Sequence, residues 1–108
     1  MPKNSEEKIQ QLQLMEQNLQ TLLLQKQKFQ SQLLETENAL SEVKTTKKEV
    51  FRIIGTIMVE SDREPLTQDL ESQAEILNLR IKNIEKQESL IKEKESKLQS
   101  DIMKEIKK

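Results

Sequence analysis

Of the 108 residues, 33% are hydrophobic, 34% charged and 2% aromatic, too little apolar material for an ordinary compact globule. The balance fits a single domain built on long helices or a coiled coil, rich in Glu, Lys, Leu and Gln. With 18 basic against 19 acidic residues the net charge is −1, which gives no electrostatic basis for a nucleic acid or a membrane as partner. The chain has no His, Cys, Trp or Tyr and one Gly. Thiol nucleophiles, thiolate metal sites and phosphate-cradling glycine loops are therefore excluded, and neither catalysis nor a cofactor or metal is expected.

At the start, Asn4 or Ser5 is placed to cap a first helix, and Glu6 and Glu7 suit the positive end of its dipole. Asn4 with Glu7 three residues on resembles a capping box. No apolar segment there has signal-peptide length, and no run approaches the ~18 residues of a membrane span. A cytoplasmic protein is expected. From Asn4 to Gly55 neither glycine nor proline intervenes. Steps of three and four pick out Leu12, Met15, Leu19, Leu22, Lys26, Phe29, Leu33, Thr36, Leu40 and Val43, broken only at Lys26 and Thr36. A heptad seam sustained this long predicts a coiled coil. The first helix is expected over 5–46, ending near Thr45 and Thr46, with Lys47 and Lys48 at its negative end.

Residues 50–60, Val50 to Glu60, are the densest apolar and β-branched run and hold the only glycine. They read as two short strands joined by a tight turn at Gly55. Alternation spreads Val50, Phe51, Ile53, Ile54, Ile57, Met58 and Val59 over both faces. An isolated hairpin is marginal in water, and its edges carry unpaired backbone groups. Two resolutions are open. The hairpin pairs with hairpins of other chains, or it folds back on its own helices with one face covered.

Asp62 then reads as an N-cap, with Pro65 in the first turn of a second helix over 64–107. Its seam is Leu70, Ala74, Leu77, Ile81, Ile84, Glu88, Ile91, Glu95, Leu98, Ile102 and Glu105, and Lys107 and Lys108 should fray. A short connection makes the two helices antiparallel. Lys26 and Glu88, the mid-seam breaks, lie about equally far from Gly55. They are expected to pair and help fix the register, or each to reach out to water. Glu85, Glu88, Glu93 and Glu95, alternating with Lys82, Lys86, Lys92 and Lys94, read as ion pairs on a solvated face.

Ile9, Leu14, Leu23, Leu24 and Leu34 on the first helix lie outside the seam. So do Ile76, Leu79, Leu90, Met103 and Ile106 on the second. At the end far from the hairpin, Ile9, Leu14, Met103 and Ile106 lie beside Leu12, Met15, Leu98 and Ile102. A frayed end of this composition would offer an adaptable apolar surface to other proteins, or would be incidental.

Val50-Phe51-Arg52, Gly55 and Ile57-Met58-Val59 fit the pattern V-[YF]-[KR]-x-x-G-x-x-x-V of a hairpin between two helices. The stretch from Leu77 to Glu88 is similar to a recurrent segment of the second helix in archaeal-type subunits. On these residues the chain resembles the beta-type subunits of prefoldin, along nearly its whole length. Phe51 stands where Tyr is usual, so any hydrogen bond from that ring is lost. The resemblance implies an all-α dominated fold: a long antiparallel two-helix coiled coil joined by a short β-hairpin, with the hairpins forming a β-barrel in the oligomer. It implies a hexamer with prefoldin alpha subunits, two alpha and four beta. The implied activity is that of an ATP-independent chaperone, which holds unfolded proteins and passes them to a group II chaperonin. Client contact would fall to Ile9, Leu12, Met15, Leu98, Ile102, Met103 and Ile106, and assembly to the hairpin. The alternative is a coiled-coil scaffold or adaptor that oligomerises through the hairpin without holding clients.

Overall fold

A computed structural model describes the backbone of residues 3–107 and the side chains of residues 5–107. The order is α1 (Lys3–Thr45), β1 (Val50–Ile54), β2 (Ile57–Ser61) and α2 (Arg63–Lys107).

Helix α1 already includes Lys3, so Asn4 is helical and cannot act as an N-cap, which needs a non-helical backbone. The Asn4 side chain, and with it the expected capping box, lies outside the described residues. Ser5 is not a cap either. It is fully buried in the first turn, and its hydroxyl donates to the carboxylate of Glu105. The C-terminus of α1 closes on hydroxyls. Thr45 Oγ1 donates to the Ser41 carbonyl at 2.8 Å, and the Thr46 N–H donates to the Glu42 carbonyl at 2.9 Å. The Lys48 N–H then donates to Thr46 Oγ1 at 3.2 Å, which turns the chain out of the helix.

β1 and β2 form a two-stranded antiparallel sheet, with Phe51 opposite Glu60, Arg52 opposite Val59, Ile53 opposite Met58 and Ile54 opposite Ile57. Gly55 has φ 62°, and no non-glycine described residue has positive φ. Positive φ at the first central residue alone is the pattern of a type II′ turn, whose twist matches that of the strands. Asp62 directly precedes α2, and its carbonyl accepts the Leu66 N–H at 3.4 Å. Pro65 is the third helical residue, where no N–H is needed. Lys107, expected to fray, is the last helical residue; Lys108 lies outside the described residues.

The chain divides into two compact units. A hairpin unit comprises residues 28–81, and a terminal unit comprises residues 1–27 with 82–108. In the hairpin unit Val43, Leu77 and Ile81 are buried, flanked by half-buried Phe29, Leu33, Leu40, Leu70 and Ala74. The Arg80 guanidinium lies 5.6 Å from the centroid of the Phe29 ring, within cation–π range. In the terminal unit Ile84 and Ile102 are buried, with Leu12, Met15, Leu19, Leu22, Ile91 and Leu98 half-buried around them. Every position of both expected seams is buried or half-buried. Each fully covered aliphatic side chain contributes about 1.5–3 kcal/mol, so the seams carry most of the stability. Within the terminal unit the helices run antiparallel, as shown by the pairs Lys8 with Glu105 and Lys26 with Glu88.

Candidate assembly and client-binding surfaces

The hairpin is held only at its base. Val50, Arg52 and Ser61 are half-buried, the Arg52 guanidinium pairs with Asp69 of α2, and Arg63 Nη2 donates to the Lys48 carbonyl at 2.8 Å. Lys44 and Glu71 add an exposed ion pair at 3.2 Å. Beyond that base no described residue covers the strands. The register puts Phe51, Ile53, Met58 and Glu60 on one face, and Ile54, Ile57 and Val59 on the other with Arg52. Ile53 is 70% exposed and Met58 66%, and Phe51, Ile54, Ile57 and Val59 are exposed as well. The fold-back alternative is thus not what the chain adopts, because the apolar side chains stay bare on both faces.

The terminal unit differs from the expected frayed end. Both helices are regular there, and Glu105 ties them by accepting from Ser5 and Lys8. Of the residues proposed for client contact, Ile102 is buried in the seam at 8% exposure, and Ile9, Leu12, Met15 and Leu98 are half-buried. Met103 and Ile106 are exposed, and so is Leu14. Ile9, Leu12, Ile102 and Met103, with Gln99, line a shallow apolar recess of about 350 Å³. The structure therefore brings four of the seven named residues to one depression and leaves Ile106 on open surface.

The seam also holds polar groups. Lys26 Nζ donates to Glu88 Oε1 at 2.7 Å, so these two pair rather than diverge. The Glu88 hydrogen bond raises the Lys26 pKa above its ordinary 10.5, and the Glu88 and Glu85 charges add to this, against desolvation. Glu105 does the same for Lys8, helped by Asp101. The solvated-face reading holds for Glu85 and Glu93 but fails for Glu88 and Glu95, which are 8% and 6% exposed. Glu16, as a hydrogen-bonding neighbour, and then burial push the Glu95 carboxyl above its ordinary range. The Ser5–Lys8–Glu105 cluster was readable in principle: stepping back from Leu12 by four and then three lands on Lys8 and Ser5. No such signal exists for Arg52 with Asp69 or Arg80 with Phe29, because their partners follow from the chain's path and not from periodicity.

Among the described residues no three His, Cys, Asp or Glu side chains are placed to hold a metal ion. No helix of the described residues is long and apolar enough to cross a membrane.

Two long helices with matching seams, joined by a bare two-stranded hairpin, define a class of coiled-coil subunits with an unsatisfied sheet at the connection. Residues 6–108 match the family described as prefoldin subunit, and the chain belongs to that family. It is similar to the prefoldin subunit beta of Pyrobaculum calidifontis, at 30% identity over 69 residues, 62% of this chain and 55% of the relative. It is likewise similar to the prefoldin subunit beta of Methanospirillum hungatei, at 34% identity over 69 residues and 58% of that protein. The matched region thus spans little more than half the length of these curated relatives. The crystal structure of the prefoldin beta subunit from Thermococcus strain KS-1 matches with a TM-score of 0.90 at 30% identity, covering 95% of this chain and 92% of that one. The beta2 subunit from the same strain shares the fold, with a TM-score of 0.72 at 19% identity, covering 81% of this chain and 95% of that one.

Proposed function

We propose that this chain is a beta-type chaperone subunit that assembles through its hairpin and holds unfolded proteins at its terminal unit without ATP. The observation that carries the reading is the hairpin: apolar side chains bare on both faces and two free edges, in a chain of the prefoldin family. Pairing with neighbouring hairpins would satisfy the edge N–H and C=O groups and cover the apolar side chains in one step. The companion chains would be alpha-type subunits, two alpha to four beta, with the hairpins closing into a barrel. Clients would be passed to a group II chaperonin in the cytoplasm.

Client contact falls best on the exposed Leu14, Met103 and Ile106 together with the rim of the recess at Ile9 and Leu12. The buried Ile102 supports that surface from beneath. Each contact is weak, and several terminal units in one oligomer add up through multivalency. The test is suppression of aggregation of a denatured client by the assembled protein. Replacing Met103 and Ile106 by Glu should abolish most of the protection while leaving the oligomer intact by light scattering. Undiminished protection in that variant would move client contact to another surface, and no protection by the natural assembly would favour the scaffold alternative.

A further inference from the structure

The chain has no Cys, His, Trp or Tyr, so methionine sulfur is its most readily oxidised group. Three methionines lie among the described residues, in three different settings. Met15 is half-buried at a seam position of the terminal unit. Met103 is exposed on the surface of that unit. Met58 lies on β2 and is 66% exposed, the barest of the three. Ile53 stands directly opposite it across the ladder, with Phe51 and Glu60 on the same face.

Oxidation would change what that face can do. A peroxide delivers one oxygen atom to the thioether. A sulfur lone pair forms the new S–O bond, the O–O bond breaks, and water leaves; sulfur is oxidised and the peroxide reduced. The product is a polar sulfoxide, an acceptor with no donor of its own. In the free chain water satisfies this oxygen, so the fold loses nothing. In an assembled sheet the same oxygen would be covered, and no neighbour on its face could donate to it. Phe51 and Ile53 have no polar hydrogen, and the Glu60 carboxylate only accepts. The edge N–H groups would be taken up by the incoming strands.

We propose that Met58 is a modification site, at which a peroxide acting on the free subunit forms the sulfoxide and thereby blocks assembly through the hairpin. The modification acts on association and not on folding, because Met58 lies outside the buried seams. Assembly in turn shields the sulfur, so the reaction separates free subunits from assembled ones. Met103, in the other unit, serves as an internal reference whose exposure does not depend on the hairpin. The change is reversible, since methionine sulfoxide is a substrate for dedicated reductases. This inference rests on the reading that the hairpin is the assembly surface, and adds chemical control to it.

The test uses the full chain, free at a concentration where light scattering shows a monomer, and assembled with an alpha-type prefoldin subunit. Each sample is treated briefly with dilute hydrogen peroxide, and the oxidation of each methionine is read by peptide mass spectrometry. In the free chain Met58 and Met103 should oxidise well ahead of Met15. In the oligomer Met58 should react several-fold more slowly, with Met103 unchanged. The oxidised free chain should keep its helical signal yet assemble only at about tenfold higher concentration or above. Methionine sulfoxide reductases should restore assembly. Met58→Leu should assemble normally after the same treatment, whereas Met103→Leu should remain sensitive. Equal oxidation of Met58 in both samples, normal assembly of the oxidised chain, or equal loss of assembly in Met58→Leu would overturn the proposal and leave the hairpin reading standing. An untreated chain that forms no oligomer would overturn the hairpin reading, and this inference with it.

Discussion

Gly55 carries the one positive φ in the described chain, and an added Cβ there would meet nothing within 4 Å. Its replacement by Ala is thus a conformational experiment with no steric component. A left-handed non-glycine residue costs roughly 1–2 kcal/mol, so Gly55→Ala should speed amide exchange across β1 and β2 by about tenfold while leaving the helical signal unchanged. The Lys26–Glu88 pair is a different kind of residue effect. Lys26→Met strands a mostly buried carboxylate and should lower the melting temperature. The double change Lys26→Met with Glu88→Leu should recover it or exceed it, because the desolvation of both charges is removed together. The natural pair also implies an alkaline limit. Lys8 and Lys26 both titrate above their ordinary 10.5 when folded, so their contribution is complete below that pH and is lost above it as they deprotonate. Thermal melts across that range should show the terminal unit weakening first.

At the scale of elements, the seams follow a spacing of three and four that a sequence displays openly, and all twenty-one expected seam positions, ten on α1 and eleven on α2, are covered. The pattern needed no knowledge of the partner helix, because each helix must bury one stripe whatever covers it. Ile84, 5% exposed, lies in the most complete part of that stripe. Ile84→Ala should cost about 2–4 kcal/mol in urea unfolding, the transfer loss plus the cavity. The hairpin was legible for a related reason: one glycine in an apolar run allows few other readings. Helix starts were less legible. Asn4 and Ser5 have the chemistry of caps, yet Ser5 lies within the helix and its hydroxyl donates to the half-buried carboxylate of Glu105. The pairing of Lys8 with Glu105 depends on the register between helices, and periodicity within one helix is silent about that. The same limit applies to the candidate client surface. The sequence distinguished seam from non-seam positions, but Ile9, Leu12 and Met15 are half-covered to a degree that only packing decides.

For the molecule as a whole, the two units have opposite needs. The terminal unit closes its polar ends with Glu105 and Glu88, whereas the hairpin leaves its strongest apolar side chains bare. If assembly runs through that sheet, one charge on its barest face should disrupt it. Met58→Glu, opposite Ile53, should leave a helical chain of monomer size by light scattering, alone and mixed with an alpha-type companion. An unchanged oligomer would show that another surface holds the subunits together. The uncovered strands also bear on how such a chain must be made. Two open edges beside isoleucines and a methionine are the feature that seeds intermolecular sheet growth. An orphan subunit, translated in excess of its companions, is itself a hazard of the sort that holding proteins exist to contain. If those strands pair with companion chains, balanced supply of the companions is a requirement written into residues 50–61.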